Sequence, residues 1–331
     1  MKGINRNAMF FRIIYASVLL VSLAGCRESS LDEPGKPESL LTALSLNAHE
    51  SSAWARSNDL YETPLPERWS PYVWAVNAGA LAAISADQER LKRTSDALLA
   101  ELKLHAEDRG DYTLVRYDYQ YFFGNSPMTA PWYSSFGNAA AAIGLMHIKE
   151  ATKRTDLDPL INRYLGALSE HLSHHDEKGN LWMSEYISPS LPGGRVDVMN
   201  GHFYAIAAMY EWRKRTDDTQ YDGLIMDGLS SMKNSLPLMV QDGYFSYAIN
   251  YPEIKDYGQQ RAVNFAVAAC SLDKSICPEA DEYRALFNKW NSIAGQDDEK
   301  FSSGSGNIRA AEDHTSFASC KDSALPCSAM W

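Results

Sequence analysis

The sequence predicts a mainly α-helical fold, an (α/α) toroid of helical hairpins with short β-hairpins at the inner-helix loops. Two observations lead to this prediction: apolar residues recur at helical spacing over most of the chain, and a short motif recurs between consecutive pairs of predicted helices. The helical periodicity covers eight segments, which are Tyr72–Ile84, Arg90–His105, Phe136–Thr152, Pro159–Leu172, Met199–Lys214, Tyr221–Met232, Gln259–Leu272 and Asp281–Ile293.

Strand-like alternation of apolar and polar residues is rare and short. It occurs in Tyr112–Phe123, Asn180–Tyr186 and Tyr244–Ile249. Each of these segments follows a predicted helix, so we expect hairpins or extended segments at helix ends.

The repeated motif is Lys-Arg-Thr-Asp. It begins at Lys153 and again at Lys214, 61 residues later. Each copy follows an Ala-rich helix and precedes a second helix and a Gly-containing turn. The repeat therefore predicts helical hairpins stacked in an ordered array, although Thr-Asp is also a common helix-stop signal that could recur by chance.

The N-terminal residues look like an export signal and not like part of the fold. Lys2, Arg6 and Arg12 precede a twelve-residue apolar run that is too short for an ordinary membrane span. The run ends at Cys26 after small residues, which resembles the lipobox of bacterial lipoproteins. We expect residues 1–26 to be a lipoprotein signal peptide, 27–45 a flexible tether and 46–331 a single domain. An uncleaved signal anchor is the alternative.

Composition describes a globular exported protein. Hydrophobic residues make up 45% of the chain and the net charge is -11, which argues against a nucleic-acid partner. The same charge would repel a polyanionic ligand at long range, so a protein that binds one must concentrate its cations locally.

The cysteines after Cys26 are Cys270, Cys277, Cys320 and Cys327, spaced as two pairs with six intervening residues. An even number in an exported chain predicts two disulfides, and we favour the two local pairings. The spacing does not fit a zinc site, and no metal or cofactor is expected.

The candidate chemistry is densest between Trp182 and Tyr204. A carboxylate beside a phenol, Glu185-Tyr186, ends a short predicted strand, and Arg195 lies in the following loop. Asn200 is predicted to cap the next helix, whose N-terminus favours anions.

A second candidate segment is rich in aromatic residues. Such density indicates either core or a platform for the apolar faces of sugars. Its members are Arg116, Tyr117, Tyr119, Tyr121, Trp132 and Tyr133.

These segments resemble the C-terminal domain of the glucuronyl C5-epimerase family. Ala130-Pro131-Trp132-Tyr133-Ser134 is similar to a Pro-Trp-Tyr-Ser segment of that family. Glu185-Tyr186 and Asn200-Gly201-His202-Phe203-Tyr204 resemble its Glu-Tyr and Leu-Asn-Gly-Phe motifs. Tyr257 stands where the family has a later Tyr. The similarity spans residues 110 to 295.

The resemblance implies inversion of C5 in glucuronate residues of a heparosan-like polysaccharide. It implies Glu185, Tyr186 and Tyr257 as catalytic residues, with the two phenols on opposite faces of the sugar ring. The carboxylate of the sugar needs charge stabilisation, for which Arg195, Asn200 and Arg261 are the candidates. The further expected substrate-binding residues are Arg116, Tyr119, Tyr121, Trp132, Tyr133 and His202, the last with a core position as an equal alternative.

Three residues that could suggest a metal, His171, His174 and His175, end a predicted helix before a charged turn, so we expect solvated surface. Two alternatives to the epimerase stay open: a uronic-acid polysaccharide lyase, which shares C5 proton abstraction, and a non-catalytic glycan-binding lipoprotein. The expected partners are a uronic-acid polysaccharide and a membrane that holds the lipid. The expected location is the periplasm-facing side of a bacterial membrane or the cell surface. A homodimer is left open.

Overall fold

The fold was determined as a computed structural model, which describes the backbone of residues 69–256 and 259–301 and side chains as far as residue 292. The predicted signal peptide with Cys26, the tether, Tyr257, Cys320 and Cys327 lie outside the described residues. No described helix is both long and apolar enough to cross a membrane.

The described part of the chain is mainly helical, as predicted. Its α-helices in chain order are α1 Pro71–Gly79, α2 Gln88–Leu104, α3 Ser135–Thr152, α4 Asp158–Glu170, α5 Met199–Thr216, α6 Asp222–Ser235, α7 Gln259–Leu272 and α8 Cys277–Phe301. Each of the eight periodic segments corresponds to one of them. The first differs in detail, because Ala80–Ile84 continues α1 as a 3-10 helix.

Several helix starts follow directly from the sequence. The side chains of Ser70, Asp87 and Ser134 accept hydrogen bonds from amides in the first turns of α1, α2 and α3. These caps satisfy donors that have no partner inside the helix. α3 and α5 both end at a residue in the left-handed conformation, Lys153 and Asp217.

The helices pack in two rows. α1 packs on α3, α3 on α5 and α5 on α7, while α2, α4, α6 and α8 each pack against a member of this first row. The first row is Ala-rich, and α3 and α5 are buried along nearly their whole length. Small residues allow close approach: a Cβ on Gly144 of α3 would lie 2.3 Å from the ring of Trp74.

The strands form small antiparallel sheets. They are β1 Ala106–Asp108, β2 Thr113–Val115, β3 Tyr121–Phe123, β4 Ser126–Met128, β5 Ser173–His175, β6 Leu181–Met183, β7 Tyr186–Ile187, β8 Arg195–Val196, β9 Val240–Gln241, β10 Tyr244–Ala248 and β11 Tyr251–Lys255. The pairs are β1 with β2, β3 with β4, β5 with β6, β7 with β8, and β10 with both β9 and β11.

The chain repeats structurally, but with a different period from the sequence motif. α3, α4, β5 and β6 are followed by α5, α6, β9 and β10 in the same order. The left-handed caps Lys153 and Asp217 are 64 residues apart. The motif copies are 61 residues apart because Lys214 lies in the last turn of α5, whereas Lys153 already terminates α3.

One disulfide lies in the described region. Cys270, near the end of α7, is bonded to Cys277 at the start of α8, with their Cα atoms 4.7 Å apart. It fixes the turn between the two helices.

Candidate active site

The carboxylate of Glu185 lies at the centre of the candidate site. It is 3% exposed. Its Oε1 accepts a hydrogen bond from the hydroxyl of Tyr247 at 3.1 Å, and its Oε2 accepts one from the amide of Gly201 at 3.1 Å. Residues from three separate parts of the sequence therefore meet at one carboxylate.

The start of α5 binds this carboxylate directly. The helix begins after Val198, which provides no side-chain cap, and Glu185 accepts the amide hydrogen of the third residue in its place. The predicted capping role of Asn200 is therefore wrong: Asn200 is the second residue of the helix, and its Oδ1 lies 2.8 Å from the Gly201 amide.

Gly201 is required by this close approach. A Cβ at position 201 would lie 2.6 Å from the Cβ of Glu185 and 2.8 Å from its Oε2. Only a residue without a side chain lets the helix N-terminus reach the carboxylate.

Burial raises the pKa of Glu185 to about 7, and the charge of Asp256 acts in the same direction. Hydrogen bonds from Tyr186, Tyr247 and the Gly201 amide oppose this rise because they stabilise the charged form. A carboxyl group with such a pKa exchanges protons near neutral pH, which suits a general base.

Two phenols adjoin the carboxylate. The hydroxyl oxygens of Tyr186 and Tyr247 lie 3.2 Å apart, and the two side chains are 4% and 8% exposed. Burial, followed by the charge of Glu185, raises the pKa of Tyr186 well above its ordinary value. Tyr186 is therefore protonated at neutral pH and is equipped to donate a proton.

Aromatic rings surround these phenols. Tyr121, Phe123 and Trp132 lie with their ring centroids 5.5 to 5.9 Å from that of Tyr186. Phe123 also approaches Tyr247 and Tyr251, on the β10–β11 hairpin. The low dielectric of this environment strengthens electrostatic interactions inside the site.

A buried network holds the two catalytic strands in register. The carboxylate of Asp197 accepts a hydrogen bond from Ser184 at 2.7 Å and lies 3.0 Å from Nε2 of His174. The main chain of Asp197 bonds to Ile249 and to the side chain of Asn250. Asp197 thereby links the segment before Tyr186 to the strand that carries Tyr247.

Arg195 and Tyr133 lie on the other side of this sheet. Across β7 and β8, Tyr186 pairs with Val196 and Ile187 with Arg195, and Tyr133 forms a bridge with Ile187. Directly paired residues point to the same face, and neighbours along a strand point to opposite faces. Arg195 and Tyr133 therefore point away from Tyr186.

His202 lies in the core. It is fully buried; its Nδ1 accepts a hydrogen bond from the Met183 amide, and its Nε2 lies 3.0 Å from the carbonyl oxygen of Gly228. Burial lowers the pKa of His202 to about 4. The neutral ring joins β6, α5 and α6, which corresponds to the core alternative.

The other predicted residues are spread around the site. Tyr119 packs edge-on against Trp132, whose indole donates to the Tyr119 carbonyl. Arg116 forms an ion pair with Asp118 at 2.8 Å near the surface. Arg261 is half-buried in the first turn of α7. Of the three catalytic candidates, the structure brings Glu185 and Tyr186 together, and Tyr257 lies outside the described residues.

Sequence reasoning missed Tyr247. A signal for it was present, because the 61-residue offset between the two Lys-Arg-Thr-Asp copies carries Tyr186 onto Tyr247. Asp256, whose charge acts on Glu185, was also missed; it follows β11 directly, and nothing in its local sequence distinguishes it.

Comparisons with known proteins agree with this geometry. No curated protein matches the chain. Among solved structures, cellobiose 2-epimerase from Spirochaeta thermophila DSM 6192 is similar, with 13% sequence identity, a TM-score of 0.47, and coverage of 75% of this chain and 72% of that chain. The family described as D-glucuronyl C5-epimerase C-terminus matches residues 107–292, more than half of the chain. The family predicted from the sequence is thus confirmed: the chain belongs to the D-glucuronyl C5-epimerase family, and its general activity is that of an epimerase.

Proposed function

We propose that this protein inverts C5 of D-glucuronate residues to L-iduronate within a heparosan-like polysaccharide. The observation that carries the proposal is the hydrogen-bonded group of Glu185, Tyr186 and Tyr247, buried among aromatic rings. The proton on C5 is weakly acidic, so its removal needs a positioned base and stabilisation of the resulting enediolate.

The two neighbouring phenols act on one face of the sugar. Groups on opposite faces of C5 must be roughly 6 Å apart, because each approaches the carbon to about 3 Å. The oxygens of Tyr186 and Tyr247 are only 3.2 Å apart, too close to enclose a ring. In this proposal one phenol takes the C5 proton while its own proton passes to Glu185.

A different group serves the opposite face, and Tyr257 is the candidate that the family resemblance supplies. It donates a proton to C5 of the enediolate and regains one from solvent, while Glu185 releases its proton to solvent. Protons balance over one turnover, and hydrogen from water enters C5. Arg261, in the first turn of α7, is our candidate for binding the sugar carboxylate.

Two broader features belong to this proposal. The rows of packed helices and the structural repeat support an (α/α) toroid, with the site at the end where the inner-helix loops converge. We also propose that the protein is exported and attached to a bacterial membrane through a lipid on Cys26, as the signal-like N-terminus indicates.

The test is proton NMR of heparosan incubated with the protein in heavy water. We expect deuterium at C5 and new iduronate signals without unsaturation. Unsaturated uronate signals would instead identify a lyase, and an unchanged spectrum despite binding would identify a glycan-binding protein. Either result would refute the proposal.

A further inference from the structure

The face of the β7–β8 sheet opposite Tyr186 has chemistry of its own. Arg195 and Tyr133 project from this face, since both pair with Ile187. His171, at the end of α4, packs edge-on against Tyr133 with ring centroids 5.6 Å apart. Arg109, from the turn between β1 and β2, forms an ion pair with Glu107 beside the Tyr133 hydroxyl. We call these five residues the reverse-face patch.

The charges of the reverse-face patch do not cancel. It contains two guanidinium groups and one carboxylate, which gives an excess of one positive charge in a chain whose net charge is -11. Arg195 donates to the carbonyl oxygen of Ser173 at 3.3 Å, and no carboxylate among the described residues forms an ion pair with it. The nearby carboxylate of Asp197 is held by Ser184 and His174.

His171 independently reports a positive environment. Its partial burial and the charges of Arg109 and Arg195 lower its pKa, with Glu107 acting in the opposite direction. Both cations therefore act on one ring. Arg109 remains accessible, because 45% of its side-chain surface is exposed.

Aromatic rings and arginines together match an acidic sugar. Tyr133 and His171 are half-buried and offer ring surface to apolar sugar faces, and Tyr112 lies against His171 on the far side. Guanidinium groups bind carboxylates in a planar, two-point geometry.

We propose that the reverse-face patch is a second glycan-binding site, which takes a carboxylate-bearing sugar of an acidic polysaccharide away from the catalytic group. The choice of a uronic-acid chain as ligand rests on the proposed function. The sheet separates this site from Glu185 and Tyr186, so the patch holds the polymer without contacting the reacting sugar.

The experiment measures binding of the whole protein to immobilised heparosan and to the same polymer with its carboxyl groups reduced. We expect Arg109→Gln and Arg195→Gln each to weaken binding of intact heparosan about tenfold, the loss of one charge-assisted interaction. The matched control is Arg154→Gln, since Arg154 pairs with Asp156 beyond the other end of α3, about 27 Å from Ser134 along the helix.

Equal affinity of the wild type, both patch variants and the control would overturn this inference, as would absence of wild-type binding. The carboxyl-reduced polymer should not discriminate between wild type and patch variants, and discrimination there would show that the arginines do not read the carboxylate. Wild-type binding that depends on the patch, without hydrogen exchange at C5, would refute the proposed function alone.

Discussion

The hydroxyl of Tyr247 donates a hydrogen bond to Glu185 across a sequence separation of 62 residues. The same hydroxyl lies 3.2 Å from that of Tyr186, the neighbour of Glu185 in the chain. Tyr247 is thus the element that joins the second structural repeat to the acid of the first, and the site depends on both repeats.

Replacement of Tyr247 by Phe should lower the epimerisation rate by about 10²- to 10⁴-fold, the range for loss of a positioned acid or base. The variant keeps the ring that packs on Phe123, so its thermal unfolding should change little. The matched control is Tyr244→Phe on the same strand, whose hydroxyl reaches only the carbonyl oxygen of Pro252. Equal rates in the two variants would exclude Tyr247 from the reaction.

The substitution Gly201→Ala should displace Glu185, because the new Cβ would overlap its side chain. We expect a loss of roughly 1–3 kcal/mol in the free energy of unfolding, as for other overpacked buried sites, together with loss of activity. Gly223→Ala is the control: this glycine is also in the first turn of a helix, and its Cβ would meet nothing within 4 Å.

Gly223→Ala should leave activity intact and raise stability by about 0.5–1 kcal/mol, since Ala favours a helix over Gly. Urea unfolding and epimerisation assays on both variants decide the matter. A Gly201→Ala variant as active and as stable as Gly223→Ala would contradict the close contact between α5 and Glu185.

The pKa of Glu185 predicts opposite trends for activity and stability. The folded protein keeps a proton on this group up to about pH 7, whereas the ordinary pKa is 4.5. Because the folded state binds more protons between these values, the free energy of unfolding should fall as the pH rises through this window. Activity should rise with a midpoint near pH 7, since the base must be deprotonated.

The Glu185→Gln variant separates these trends. It should abolish activity and remove this part of the pH dependence of stability, with a gain over wild type of roughly 1–3 kcal/mol above pH 7. Urea unfolding from pH 4 to pH 8 measures the difference. Parallel curves for the two proteins would show that Glu185 does not have a raised pKa.

Asn138 of α3 should prove important for stability. Its fully buried amide accepts a hydrogen bond from the Val115 amide and donates to the carbonyl oxygens of Thr113 and Tyr164. Asn138→Leu leaves these groups unpaired and should cost about 2–4 kcal/mol in urea unfolding. For the exposed Asn234, which bonds only to Asn180, Asn234→Ala should change stability by less than about 0.5 kcal/mol; similar losses for both would contradict the argument.

The sequence predicted the helices well because their signal is local. An apolar stripe at helical spacing specifies a helix and its buried face together. The seam between repeats also left a trace, although its 61-residue spacing differed from the 64-residue spacing of the helix caps. The family motifs identified Glu185 and Tyr186, which the structure places together.

The parts that could not be predicted depend on distant pairing. β7 and β8 have only two residues each, too few for alternation to be visible, so the direction of Arg195 away from Tyr186 was hidden. The expectation that Asn200 caps α5 was wrong because Glu185, from 16 residues earlier, occupies that position. Local sequence contains no record of such a substitution.

The most direct test of the central claim is the release of tritium to water from heparosan labelled at C5. The account predicts steady release by the wild type and by Tyr283→Phe, which removes another buried hydroxyl, bonded to the Leu236 carbonyl. It predicts at least 100-fold slower release by Glu185→Gln, as expected for the loss of a general base (about 10²-fold or more). Equal release by Glu185→Gln and the wild type would contradict the account.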